Sequence, residues 1–217
     1  MKVSGVSSIT DRKLWDKGIK YLRRRDKKLA RILTKKSYHD MKLNSDYYGA
    51  LVESIVYQQI AGNAAESIMK KFKGLYNGRI PKPSEFLSTE ENLIKGSGIS
   101  PQKYSYIKDL SERLEKGLVE LERLNSLPDA KVIEELDAVK GIGRWTAEMF
   151  LIFSLGRTDV LPMDDLGIRK AVKKVYSLKK LPDAKKLAQL SKNWHPYCTI
   201  ATLCLWRSHD VVTQEKK

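Results

Sequence analysis

Apolar residues recur along this chain at the three- and four-residue spacing of a helix face. They show no sustained two-residue alternation of the kind a half-buried strand needs. Leu14, Ile19, Leu22, Leu29, Ile32 and Leu33 mark a basic amphipathic helix or helix pair across residues 11–35. After a polar segment from Lys36 to Asp46, a second helix is predicted from about Tyr48, with Leu51, Val52, Ile55, Val56 and Ile60 as its inward stripe. Gly62-Asn63 is expected to interrupt it, before a helix carrying Ile68, Met69 and Phe72. Residues 74–84 read as loop. Ser88-Thr89-Glu90-Glu91 reads as a capped helix start, Gly96-Ser97-Gly98 as a stop, and Ser100-Pro101 as the cap and first-turn proline of a helix with Tyr104, Ile107 and Leu110. Leu127-Pro128-Asp129 opens another, with Val132, Ile133 and Leu136 inward. From Gly141 the pattern stays helical through Trp145, Met149, Ile152 and Phe153, then over 166–175, 183–190 and 197–206. The chain is therefore predicted to be all-α, with Gln214 to Lys217 frayed.

Length and charge narrow the class. The 217 residues suffice for one compact domain or two small lobes, and 41% hydrophobic with 31% charged is a globular composition. No apolar run approaches the roughly 18–20 residues that span a bilayer. Met1 to Ile9 lacks the apolar core of a secretory signal, so a cytoplasmic (nucleoid-associated) or nuclear protein is expected. Lys and Arg number 41 against 26 acids, a formal charge of +15. That excess favours a polyanionic partner, most commonly nucleic acid, and says nothing of the chemistry. Cys198 and Cys204 lie six apart in an apolar stretch and make no ligand spacing with His39, His195 or His209. They are expected to be small buried hydrophobes, with no metal site.

The most informative segment is Leu136-Asp137-Ala138-Val139-Lys140-Gly141-Ile142-Gly143-Arg144-Trp145-Thr146-Ala147. Two glycines around one aliphatic residue allow a tight reversal between two helices, with Ile142 tucked between them. Backbone N–H groups at the hairpin and at the next helix start lack intrahelical partners, and with the helix dipole they can hold a phosphate oxygen. This is a helix-hairpin-helix, a sequence-independent grip on the DNA backbone. Lys140, Gly141, Ile142, Gly143, Arg144 and Thr146 are its expected DNA-binding residues.

Here the chain resembles the helix-hairpin-helix DNA glycosylases, and within them the alkylated-purine (3-methyladenine) branch. Three features carry the resemblance across residues 12–207: the run Gly-Ile-Gly-Arg-Trp-Thr-Ala at 141–147, the pair Asp164-Asp165 before the helix at 166, and two tryptophans twelve apart, Trp194 and Trp206. Asp165, twenty residues past Trp145, stands where the family has its catalytic carboxylate. An aspartate just before a helix is also a common N-cap, which applies equally to Asp164; capping and catalysis are compatible. By family position Trp206 faces the base pocket, Trp145 is a second wall, and Trp194 is structural. Met149 is a further pocket residue, standing where the bacterial relative has an aromatic. Ile55 to Ala61 resembles the element that fills the gap left by a flipped base, with Gln59 as the wedge and Gln58 its neighbour.

The resemblance implies a monofunctional glycosylase that acts on double-stranded DNA by base flipping, as a monomer and without a cofactor. Bifunctional relatives carry a lysine where Trp145 stands, and two cysteines cannot supply a four-cysteine iron–sulfur cluster. It also implies a compact two-lobed form without an N-terminal β-domain. The lobes would be 40–157 and a composite of 1–39 with 158–217, with Asp165 near the cleft. A glycosylase for another damaged base, or a non-catalytic helix-hairpin-helix protein, is the alternative.

Overall fold

The computed structural model describes residues 8–33 and 41–214; the expectations that fall on 1–7, 34–40 and 215–217 lie outside them. Among the described residues there is no strand, and none of the helices is long and apolar enough to cross a membrane. The described residues form twelve α-helices in order: α1 (Arg12–Arg25), α2 (Tyr47–Tyr57), α3 (Gly62–Gly74), α4 (Pro83–Ser88), α5 (Glu91–Gly96), α6 (Pro101–Glu115), α7 (Leu121–Leu124), α8 (Asp129–Asp137), α9 (Arg144–Phe153), α10 (Leu166–Val175), α11 (Ala184–Ser191) and α12 (Cys198–Gln214). A 3-10 turn, Leu29–Arg31, follows α1.

Short polar side chains start α1, α2, α6, α10 and α11. Asp11, Asp46, Ser100, Asp165 and Asp183 each accept a backbone N–H from the first turn that follows, satisfying donors a helix leaves orphaned. The chain divides into two compact units, Met1–Leu43 with Leu151–Lys217, and Asn44–Phe150.

In the first unit α10 and α1 pack on α12. The inward face of α1 is Trp15, Gly18, Ile19 and Leu22, and Arg23, Arg24 and Arg25 place positive charge at its C-terminal end, where the helix dipole favours it. Trp194 is fully buried, as expected for a structural tryptophan. Its Nε1–H donates to Asp26 Oδ2 at 3.0 Å, and the Tyr176 hydroxyl donates to the same oxygen. Asp26 Oδ1 meanwhile accepts the Lys28 and Leu29 amides, so the residue that ends α1 through its backbone uses one carboxylate to order the turn after it and satisfy a core indole.

In the second unit α6 packs against α2, α4 and α5. Its core holds Leu51, Val52, Ile55 and Val56 of α2 and the neighbouring rings of Phe72, Phe86 and Tyr104. Burial of such side chains, at about 1.5–3 kcal/mol each, is what holds helices this short.

Two boundaries differ from the sequence expectation. The interruption after α2 falls at Gln58 to Ala61, not at Gly62-Asn63: Gln59 is left-handed (φ 59°), Ala61 is extended, and Gly62 opens α3. The Val56 carbonyl, at the end of α2, is taken by Lys103 Nζ at 2.7 Å, which stabilises an early stop. Ser88 and Thr89 do not cap a helix start; both hydroxyls donate back to the Glu85 carbonyl and close α4.

Candidate active site

The segment between α8 and α9 is a tight reversal with Gly141 at φ 81°, and the Ile142 N–H donates to the Val139 carbonyl at 3.0 Å. A positive φ favours glycine, and here space requires it too: a Cβ at Gly141 would lie 2.1 Å from Tyr106 Cδ2 of α6. Three further contacts fix the turn. The Lys140 N–H donates to Asp109 Oδ2 at 2.8 Å, Gln58 Nε2 donates to the Gly141 carbonyl at 2.9 Å, and Ile142 is 2% exposed. Burial works against the Asp109 charge, but the Lys140 amide and the Arg113 guanidinium outweigh it and hold the carboxyl below its ordinary value.

The Ala147 N–H returns to the Gly143 carbonyl at 3.1 Å, so the amides just before it lie at the helix N-terminus, where an anion is favoured. Lys140, Gly143 and Arg144 are exposed there, and Arg144 Nε also pairs with the buried Glu148 at 3.0 Å. Thr146 is 4% exposed and faces the core.

Gln58 and Gln59 separate into distinct roles. Gln58 ends α2 and spends its amide N–H on the hairpin carbonyl. Gln59, exposed and left-handed, presents its side chain outward.

Asp165 is the N-cap of α10. Its Oδ1 accepts the Ile168 N–H at 2.7 Å and the Trp206 Nε1–H at 2.9 Å. Among the described residues the other four side-chain caps named above accept backbone amides, and the indole donor distinguishes Asp165. Gly167 eases the approach, because a Cβ there would lie 3.0 Å from Asp165 Oδ1, a tight contact, and 3.4 Å from Trp206 Cδ1. Asp165 is part-exposed, and Asp164 is exposed and caps nothing described.

The Trp206 ring stacks on Phe153, with centroids 6.0 Å apart and planes 17° from parallel. Phe153 lies on α9 eight residues after Trp145 and four after Met149, a spacing that puts all three on one helix face. Trp145 is 43% and Phe153 36% exposed, and Met149 is part-buried, so that face is not spent on the core. In the sequence Phe153 stands only as part of the helical pattern, although the i, i+4, i+8 series from Trp145 marks it.

Cys198 and Cys204 are free and buried. Burial pushes the Cys204 thiol up to about 12, and burial with the neighbouring Asp159 charge pushes Cys198 up as well. The expectation that no histidine is spaced to join them fails at His195, three residues before Cys198: its Nδ1 lies 3.5 Å from Cys198 Sγ and 2.9 Å from Asp159 Oδ2. Asp159 lies 36 residues from His195, too distant in sequence for any short ligand motif to show.

Residues 52–196 match the HhH-GPD superfamily of base excision DNA repair proteins. DNA-3-methyladenine glycosylase 1 of Schizosaccharomyces pombe is 34% identical over 171 residues, 78% of this chain and 75% of that one. The fold is similar to the crystal structure of a DNA-3-methyladenine glycosidase from Bacillus halodurans, with a TM-score of 0.82 and 32% identity over 96% of this chain and 94% of that one. It is also similar to an S. pombe 3-methyladenine DNA glycosylase in complex with abasic DNA, with a TM-score of 0.77 and 31% identity over 91% and 97% of the two chains.

Proposed function

Because the chain belongs to the HhH-GPD superfamily of base excision DNA repair proteins, we propose that it is a DNA-3-methyladenine-type glycosylase that hydrolyses the N-glycosidic bond of alkylated purines in double-stranded DNA. The observation that carries this reading is the Asp165 carboxylate, part-exposed and oriented by an indole N–H and a helix N-terminus.

A base stacked in a duplex is out of reach, so the target nucleotide is flipped out, at a cost of a few kcal/mol in lost stacking and pairing. Gln59 occupies the gap it leaves and offers its amide to the orphaned partner base. The hairpin amides and Lys140 hold the backbone through a phosphate. Arg144 adds charge there, while Ile142 and Thr146 keep the turn packed.

Alkylation at N3 or N7 makes the purine cationic, so it leaves readily. The electron pair of the breaking C1′–N bond goes to the base and neutralises it, and positive charge develops on the sugar. Asp165 stabilises that charge and orients a water, which bonds to C1′ and releases a proton to the carboxylate or to solvent. Trp206 holds Asp165 and, with Trp145 and Met149, contacts the base, for which electron-rich rings suit a cation. Trp145 in place of a lysine nucleophile supports hydrolysis without strand cleavage.

The test is incubation of the full chain, as a monomer, with methylated duplex DNA, followed by chromatography of the released bases. Release of 3-methyladenine and 7-methylguanine, leaving unnicked abasic DNA and no borohydride-trapped adduct, is the expected result. DNA binding without release of any alkylated base would contradict it.

A further inference from the structure

We propose that Asp159, His195 and Cys198 form a site for one divalent transition-metal ion of the zinc type. The three side chains come from two places in the first unit: Asp159 from the segment between α9 and α10, and His195 and Cys198 from the turn before α12 and its first residue. Among the described residues they are the one set of three or more metal-capable side chains whose ligand atoms lie within 4.8 Å of one another.

The ligand atoms already lie within a few tenths of an ångström of the spacings in a coordination sphere. His195 Nδ1 is 2.9 and 3.0 Å from the two Asp159 oxygens and 3.5 Å from Cys198 Sγ. One ring nitrogen thus faces two carboxylate oxygens and a thiol sulfur. Tetrahedral zinc, with Zn–N and Zn–O near 2.0–2.2 Å and Zn–S near 2.3 Å, sets nitrogen and sulfur ligands about 3.5 Å apart and nitrogen and oxygen ligands about 3.3 Å apart. The sulfur spacing already has that value, and the carboxylate needs a shift of a few tenths of an ångström.

The donor set of one imidazole, one carboxylate and one thiolate selects zinc or cobalt over magnesium or calcium.

The framework around the cluster is already ordered. The Cys198 N–H donates to Asp159 Oδ1 at 3.2 Å, and Thr199 Oγ1 donates to the Arg157 carbonyl at 2.7 Å and accepts the Val160 N–H at 2.9 Å. An ion here fastens the segment that delivers Asp165 to the helix that carries Trp206. Three protein ligands leave the fourth position to solvent.

The probe is Co²⁺, titrated into the metal-stripped full chain. The expected result is a thiolate-to-cobalt charge-transfer band that saturates at one equivalent and is displaced by Zn²⁺. The band is lost in Cys198→Ser and kept in Cys204→Ser, the other buried cysteine of the same helix. His195→Asn, which leaves the core untouched, lowers affinity by at least the roughly 10–100-fold that loss of a supporting group costs at metal sites. Zn²⁺ at a hundredfold excess over its dissociation constant raises Tm by roughly 5–10 °C. Absence of the band in the wild-type chain, its survival in Cys198→Ser, or unchanged affinity in His195→Asn would each overturn the assignment.

Discussion

Trp206 Nε1–H and the Ile168 amide donate to the same oxygen of Asp165, at 2.9 and 2.7 Å. Two donors on one oxygen fix the carboxylate in both position and rotation, which a helix cap alone does not. A carboxylate that must face a developing positive charge gains most when its orientation is set before the reaction begins.

Trp206→Phe separates that hydrogen bond from the ring. Phenylalanine keeps the stack on Phe153 and removes the donor. Hydrogen bonds to charged groups contribute about 1.5–3 kcal/mol, so kcat for base release is expected to fall by about 10- to 100-fold with KM little changed. Single-turnover release from methylated duplex measures it. A variant with wild-type kcat would show that the indole N–H plays no part in holding Asp165.

Gly141→Ala meets both the left-handed backbone and the Tyr106 ring. The combined cost is about 2–5 kcal/mol of stability, with weakened DNA binding. Adding Tyr106→Ala removes the steric part and leaves the backbone strain, about 1–2 kcal/mol. Denaturant midpoints of both single variants and the double variant test this. An equal cost of Gly141→Ala in the wild-type and Tyr106→Ala backgrounds would mean that the ring contact contributes nothing.

Gln58→Ala and Gln59→Ala are expected to differ in kind. Gln58 holds the Gly141 carbonyl, so its loss costs about 0.5–1.5 kcal/mol of stability. Gln59 is exposed, and its replacement changes stability by no more than about 0.5 kcal/mol while slowing base release from duplex DNA. Reversal of the two phenotypes would exchange their roles.

Acid loosens the hairpin at Asp109. Its folded-state carboxyl titrates below its ordinary value of 3.8. The charged contact to the Lys140 amide is therefore complete at neutral pH and persists through 3.8. It is lost only as pH falls further, through the depressed folded value. The Lys140 amide resonance, followed by NMR, is expected to titrate below 3.8, and Asp109→Asn abolishes that step. Titration at or above 3.8 would contradict the geometry.

How much was legible in the sequence follows from the range of the interactions. The helical periods, the Ser100 cap and the Gly-Ile-Gly reversal are local, and each is visible within about ten residues. Asp165 was legible through motif resemblance, and its cap role through its place before a helix. The bond from Trp206, 41 residues away, was not visible. The interruption after α2 was misplaced because glycine is the usual breaker, whereas here Gln59 takes the left-handed turn and a lysine from α6 closes the helix end. Phe153 and the Asp159–His195–Cys198 cluster depend on packing between segments far apart in the chain, which no window of sequence contains.

The most direct measurement is single-turnover release of 3-methyladenine from methylated duplex DNA by the wild-type chain and by Asp165→Asn. Asparagine keeps an oxygen that can accept from both Ile168 and Trp206, so the variant preserves the cap and removes the charge. A fall in rate of at least about 100-fold, with DNA affinity and Tm near wild type, is the result expected of a carboxylate that faces the sugar cation. Release by Asp165→Asn at the wild-type rate would contradict it, and leave Asp165 as a helix cap alone.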